Sequence, residues 1–184
     1  MTLVIFPSFW LLLALVWALE PALLLPSLLA ATLHELGHCA ALKLAGSGVA
    51  QLRLSGLGAE LTPRRALSYA AELPVALAGP GVSLLSAVLA AHWGHYLFAG
   101  LSLALGLFNL LPIHPLDGGR VIRGLCALLL PTLWAQRVPK WLSVAVSAVL
   151  FVLALRVFLR LGGLSLLILA LWLCVRSVRA LFLE

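Results

Sequence analysis

The sequence predicts an all-α membrane protein with six transmembrane helices, a short β-hairpin between the second and third helices, and a broken fourth helix. Its 184 residues are 64% hydrophobic and only 10% charged, and the mean hydropathy is +1.16. A soluble domain carries roughly 25% charged residues, so this composition is typical of a chain that lies in lipid. We expect one intramembrane domain over residues 1–184, with a core at about residues 21–130 and accessory spans at residues 140–178.

Proline, glycine and charged residues divide the apolar sequence into six predicted spans. A helix needs about 20 residues to cross the hydrocarbon core of a bilayer. Most of the apolar runs approach or exceed that length, and the sixth is somewhat short. The predicted spans are Leu3–Leu19, Ala22–Ala45, Leu73–Trp93, Leu97–Leu130, Lys140–Leu159 and Leu164–Val175.

The stretch between the second and third spans is extended and amphipathic. Residues Val49–Thr62 alternate polar and apolar side chains, with Gly56 and Gly58 between the two halves. Alternation of this kind is typical of half-buried strands, so we expect a short hairpin. After it, Pro63 is predicted to open an interfacial helix that continues to Glu72.

The fourth span is interrupted in its middle. Pro112 and Pro115 fall within it, and an apolar helix resumes near Leu116. Non-helical backbone at membrane depth is tolerated only where protein or a wet cavity surrounds it. The break therefore indicates a functional site without reference to any other motif.

The charges predict the orientation of the chain. The formal net charge is +6, but the sequence contains no basic run, so we exclude nucleic acid as a partner. With six spans, ten of the 12 Lys and Arg residues fall on one side, and Arg156 and Arg160 fall on the other. Because basic residues favour the cytoplasm, we expect a multi-pass protein of a bacterial cell membrane with both termini cytoplasmic.

The second span carries the motif His34-Glu35-Leu36-Gly37-His38. Ionisable groups near the bilayer centre cost about 2.5 kcal/mol or more each, and such residues are usually functional. Residues four apart share one face of a helix, so His34 and His38 can bind one metal ion while Glu35 acts on a water beside it. The alternative is an accidental match to the motif.

A hydrolytic zinc site needs a third protein ligand and an open position. Asp117 is the acid, besides Glu35, that lies within a predicted span, and it follows the helix break. It is therefore the candidate third ligand, although Asp is also a good residue to open a helix. His114 lies in the same break as a loop histidine or as a group that handles substrate or protons, and Arg120 and Arg123 are predicted to extend to the membrane interface. The remaining acids lie at predicted interfaces or at the terminus: Glu20, Glu60, Glu72 and Glu184.

These motifs resemble the site-2 protease family of intramembrane zinc metalloproteases. His34–His38 resembles the first family motif, Asn109–Gly119 resembles the second, and Ala78–Pro80 resembles a further element. The plain core resembles the compact sporulation-type branch, which carries a C-terminal CBS domain, more than the branch that carries a PDZ domain, and we expect neither domain here. The family often has Asn where this chain has Ser83, so an amide that contacts the substrate is expected to be missing.

The resemblance implies a role for each candidate residue. His34, His38 and Asp117 would hold one zinc ion, and Glu35 would be the catalytic base. The resemblance further implies that Asn109 lies near the substrate backbone or the developing oxyanion, and that the residue pair Gly79–Pro80 contacts the substrate. The family's hairpin, which Val49–Thr62 matches in position, is expected to pair with an extended substrate.

We therefore expect an intramembrane zinc endopeptidase that acts in regulated intramembrane proteolysis. Its partners would be the lipid bilayer, a membrane protein substrate with a locally unwound segment, and a regulatory membrane protein. One alternative is a metal transporter or metal-sensing membrane protein that uses the same His and Asp residues. The other is a catalytically dead relative that acts as a scaffold.

Overall fold

The computed structural model describes residues 2–56, 58–162 and 164–183. The chain is mostly helical with one small sheet, and it divides into two compact units, Met1–Phe108 and Asn109–Glu184. The first unit contains β1 (Thr2–Ile5), α1 (Pro7–Leu19), α2 (Pro21–Leu44), β2 (Val49–Ser55), β3 (Gly58–Pro63), α3 (Tyr69–His92) and α4 (Tyr96–Asn109), whose last residue belongs to the second unit. The second unit continues with α5 (Asp117–Leu129), α6 (Thr132–Leu161) and α7 (Leu164–Leu183).

Within the part of the chain that the structure describes, three helices are long and apolar enough to cross a membrane: α3, α6 and residues Leu164–Phe182 of α7. The apolar helices α1 and α4 are shorter. Helix α2 has 24 residues, but its two histidines, its glutamate and its lysine lower its hydropathy. Helices α4 and α5, on either side of the break, have 14 and 13 residues, fewer than the roughly 20 that span a bilayer core. The predicted total of six spans is therefore not confirmed.

The sheet contains the predicted hairpin and one strand more. β2 and β3 pair in antiparallel orientation with Leu52 opposite Leu61, and β1 pairs with β2 in parallel, so that the strand order is β1-β2-β3. The expectation that the first helix begins at Leu3 is wrong. Three of the four residues of Thr2–Ile5 are β-branched and favour a strand, and α1 begins only at Pro7, where a proline suits the first helical position.

Pro63 ends β3 and does not open the expected interfacial helix. Residues 64–68 are irregular, and α3 begins at Tyr69. The start is capped because the Ser68 hydroxyl accepts a hydrogen bond from the backbone N–H of Ala71 at 3.3 Å. Glu72 lies in the first turn of the helix, where a negative charge complements the helix dipole. Ser68, rather than Pro63, carries the helix-start signal.

Helices α2 and α3 approach each other closely at the histidine motif. A Cβ atom added to Gly37 would lie 2.7 Å from the carbonyl oxygen of Ala78 and 2.9 Å from a methyl of Val82. Lipid gives helices little hydrophobic reason to associate, so small residues at the contact bring the backbones together. The glycine within the motif thus sets the spacing between the two helices that build the site.

In the second unit, the start of α5 folds back onto the loop that precedes it. A Cβ on Gly118 would overlap the backbone of Leu110 and Leu111, and one on Gly119 would lie 2.6 Å from the carbonyl oxygen of Ile113. Helices α6 and α7 both extend beyond the predicted fifth and sixth spans. Their buried faces consist largely of small residues: Ala135, Ser143, Ser147 and Ala154 on α6, and Ala170, Ser177 and Ala180 on α7.

Candidate metal centre

His34 and His38 meet on one face of α2. Their Nε2 atoms are 3.2 Å apart, the rings are T-shaped with centroids 4.9 Å apart, and the two residues are 4% and 5% exposed. Zinc binds imidazole nitrogen at about 2.0–2.1 Å, so two nitrogen ligands of a tetrahedral site lie about 3.3 Å apart. The separation of the two Nε2 atoms fits one zinc ion.

The other nitrogen of each ring is bonded to α3. His38 Nδ1 donates to the carbonyl oxygen of Val75 at 2.8 Å; because a carbonyl only accepts, this nitrogen carries the hydrogen of the neutral ring. His34 Nδ1 lies 2.9 Å from the hydroxyl of Ser83, which accepts when that nitrogen is protonated. In this tautomer both Nε2 atoms offer lone pairs, the form that binds a metal.

Gly79 makes room for His38. A Cβ atom at this position would overlap the imidazole ring of His38, so only glycine lets the ring lie against the backbone of α3. Pro80, the next residue, is fully buried and provides no N–H to the helical ladder. The predicted substrate contacts of Gly79 and Pro80 stay a prediction, whereas the contact between Gly79 and His38 is a feature of the fold.

Ser83 contacts a candidate metal ligand, a role that sequence reasoning did not predict. It is 1% exposed and contacts His34, where we had expected only the absence of a substrate-binding amide. The spacing of the sequence could have indicated this contact, because Val75, Gly79 and Ser83 are four residues apart and share one face of α3. Each of the three contacts one of the two histidines.

Asp117 is the first residue of α5. The N-cap is Leu116, so the aspartate lies in the first turn of the helix rather than at the cap. It is 8% exposed, and one carboxylate oxygen lies 3.4 Å from the guanidinium of Arg120 one turn later. Arg120 is therefore a partner of the aspartate and not simply a side chain that extends to the interface.

Among the described residues, His34 and His38 are buried in the first unit and Asp117 is buried in the second, and each offers one ligand atom to a metal ion. Two imidazoles and a carboxylate are a donor set found in hydrolytic zinc enzymes, so the residues fit this metal. Glu35 is half-buried beside His34 on α2, and Asn109 is half-buried at the end of α4.

Comparison with known proteins finds a matching family model and a similar fold. Residues 93–153, a segment that includes Asn109 and Asp117, match the family model described as Peptidase family M50. The fold is that of the site-2 protease from Methanocaldococcus jannaschii, with a TM-score of 0.73 and 21% identity over 99% of this chain and 91% of that one. These matches confirm the resemblance to the site-2 protease family that the motifs indicate.

Two curated relatives are zinc metalloproteases by name. The chain is 38% identical over 126 residues to the putative zinc metalloprotease Rip3 of Mycobacterium tuberculosis, covering 55% of this chain and 29% of that protein. It is 31% identical over 121 residues to zinc metalloprotease MJ0392 of Methanocaldococcus jannaschii, covering 59% of this chain and 34% of that protein. The chain thus spans about a third of the length of these relatives.

Proposed function

We propose that this chain is a zinc endopeptidase that cleaves proteins within the membrane, as a step of regulated intramembrane proteolysis. The observation that carries the proposal is the pair of buried imidazoles, whose Nε2 atoms lie 3.2 Å apart while each Nδ1 is bonded to α3. A pair of buried histidines held in this way by a second helix is typical of metal ligands. The zinc metalloprotease relatives support the choice of metal and reaction.

Asp117 is the proposed third ligand, and the chain would hold one zinc ion. Its burial and its position in the first turn of α5 support this role. When bound, the zinc would polarise the scissile carbonyl and make water more acidic. Arg120 would help to orient the carboxylate, because its guanidinium lies 3.4 Å from one carboxylate oxygen.

Glu35 is the proposed general base and acid. It would take a proton from the attacking water and return it to the leaving amine, which balances the protons of peptide hydrolysis. The Asn109 amide would donate a hydrogen bond to the carbonyl oxygen of the substrate as negative charge develops there. The hydrogen bonds to α3 would orient both imidazole rings so that each Nε2 faces the metal.

The substrate would be a membrane protein with a locally unwound segment, because the peptide groups of an intact helix are shielded by their own hydrogen bonds. We propose that the unwound segment adds as a strand to the sheet. Within the described residues β2 has a partner on each side, so the open edge of the predicted hairpin is β3. The multi-pass arrangement with cytoplasmic termini in a bacterial membrane is part of the same proposal.

The test compares zinc content and cleavage in the same variants. Glu35→Gln should keep its zinc and lose cleavage of a co-expressed single-span substrate by about 10²- to 10⁴-fold, the usual contribution of a general base. His34→Ala and His38→Ala should lose both zinc and cleavage, and Asp117→Asn should bind zinc more weakly. Glu20→Gln, an exposed acid between α1 and α2, is the matched control and should behave as wild type.

Two outcomes would contradict the proposal. Cleavage that survives in Glu35→Gln would remove the catalytic role of the glutamate. Zinc transport into vesicles that is equal in wild type and Glu35→Gln, with no cleavage in either, would favour the metal transporter.

A further inference from the structure

A buried serine of α6 holds the loop that precedes Asp117. The backbone N–H of His114 donates a hydrogen bond to the Ser143 hydroxyl at 2.9 Å. That hydroxyl is in turn 2.9 Å from the Ser177 hydroxyl of α7. The two serines are 3% and 1% exposed. The loop, α6 and α7 are thus connected by one chain of hydrogen bonds inside the second unit.

This use of a serine in an apolar helix is unusual. Serine hydroxyls in such helices commonly bond to a carbonyl of their own helix three or four residues earlier. Ser147, one turn further along α6, does so with the Val144 carbonyl at 3.0 Å. Ser143 instead accepts an amide from outside its helix. A break in a membrane helix exposes amides that lipid cannot satisfy, and Ser143 satisfies one of them.

The anchored amide is close to Asp117 in structure as well as in sequence. The N–H of Leu116 donates to the Ile113 carbonyl at 2.8 Å, and Ile113 is fully buried. A Cβ on Gly119 would lie 2.9 Å from the backbone nitrogen of His114, so the first turn of α5 packs directly on the anchored backbone. Movement of His114 would therefore move the residue that begins α5.

We infer that Ser143, supported by Ser177, is a positioning residue that sets the place of Asp117. The inference rests on the proposed function in one respect, since it takes Asp117 to be a zinc ligand. It gives α6 and α7, expected from the sequence to be accessory spans, a role in building the site. Outer partners of this kind are common around metal ligands, where they restrict the ligand to one orientation.

The experiment measures two quantities on the full chain in detergent or lipid discs: hydrogen exchange of the peptide that contains His114, and the dissociation constant for zinc. Ser143→Ala should accelerate exchange of the His114 amide and weaken zinc binding by about five- to tenfold, the effect of one lost hydrogen bond. Ser177→Ala keeps the hydrogen bond from the His114 N–H to Ser143 and should therefore show a smaller change in both the exchange rate and the zinc affinity. Ser147→Ala is the matched control, equally buried on the same helix, and should leave both unchanged.

The two readouts separate this inference from the proposed function. Unchanged exchange at His114 in Ser143→Ala would overturn the inference whether or not the protein binds zinc. Faster exchange with unchanged zinc affinity would also overturn it, because the loop would then move without affecting Asp117. Equal changes in Ser143→Ala and Ser147→Ala would reduce Ser143 to a packing residue. A wild-type protein that binds no zinc would refute the proposed function, and with it the ligand role that Ser143 is inferred to support.

Discussion

The histidine pair on α2 depends at the residue scale on a stripe of three residues on α3. Val75 contributes a carbonyl, Gly79 contributes the absence of a side chain, and Ser83 contributes a hydroxyl. The three are four residues apart and face the same way. The orientation of both imidazoles, and hence the direction of their Nε2 lone pairs, is set by a helix that carries no proposed ligand itself.

Gly79→Ala should displace the His38 ring and remove zinc. The added methyl overlaps the ring, and forced overpacking of this kind typically costs about 1–3 kcal/mol. Zinc content and the free energy of unfolding should both fall. Gly81→Ala is the control two residues further along α3, where a Cβ meets nothing within 4 Å; it should keep zinc and gain up to about 1 kcal/mol from helix propensity. Full zinc content in Gly79→Ala would show that the ring can move without loss of the site.

Ser83→Ala should weaken zinc binding while leaving the fold intact. Loss of a hydrogen-bonded partner of a ligand histidine usually costs about 10- to 100-fold in metal affinity. Titration of the apoprotein with zinc measures the change. Ser86→Ala, on the same helix but lining an apolar groove with Leu29 and Phe98, should bind zinc as wild type does. If the two variants bind equally well, the hydrogen bond to His34 Nδ1 does not orient the ring.

The residues that the sequence reveals are those whose chemistry is conspicuous in an apolar chain. His34, Glu35, His38 and Asp117 stand out because ionisable groups are rare in spans. Ser83 and Ser143 do not stand out, because serine is common in membrane helices and their partners lie 49 and 29 residues away in sequence. Contacts at that separation depend on how helices pack, which the local pattern does not contain.

The three-stranded sheet changes how strand addition can be tested at the element scale. Proline at Leu52 or Leu54 would disturb pairing with both β1 and β3, because β2 is the central strand. Loss of cleavage in such a variant would follow from damage to the sheet alone. A test of substrate pairing belongs on an edge strand, and β3 is the edge within the predicted hairpin.

Proline substitutions at the adjacent residues Glu60 and Leu61 should have different effects. Successive N–H groups of a strand point in opposite directions, so one proline removes a bond to β2 and the other removes a donor that points outward. The proline that removes a hydrogen bond to β2 should destabilise the sheet. The proline that removes an outward donor should keep the sheet, as judged by hydrogen exchange of the β2 amides, but should lose most cleavage of the substrate. Glu60→Ala and Leu61→Ala, which keep both N–H groups, should lose little cleavage. A proline variant that keeps both sheet and full cleavage would exclude β3 as the docking edge.

The bounds of helices and strands can be predicted where polar and apolar residues alternate over many residues, and cannot be predicted where the segment is only a few residues long. The hairpin over Val49–Thr62 is confirmed because alternation over many residues favours a strand. β1 was missed because four residues next to an apolar helix look like its first turn, and their pairing partner lies about 50 residues away. Pro63 was misread because proline suits both the end of an edge strand and the start of a helix.

At the scale of the whole molecule, the distribution of basic residues predicts where the termini lie. Reporters fused to the two ends should both read cytoplasmic, since ten of the 12 Lys and Arg residues fall on one predicted side. An outward C-terminal reporter would indicate an odd number of crossings. The miscounted crossing would then be α2 or the α4–α5 pair, because none of these helices meets both the length and the hydropathy of a membrane span by itself.

The pairing of β1 with β2 means that a cut near the amino end would alter the sheet far along the chain. If a protease clipped the chain after Phe6, β2 would lose its parallel neighbour and its backbone would become an open edge. The sheet would then be a two-stranded ribbon, a form that is marginally stable without other support. Trimming of a few residues would thus leave β2, the strand that carries Arg53, as a second open edge opposite β3, and purified material should be checked for an intact amino end before its activity is interpreted.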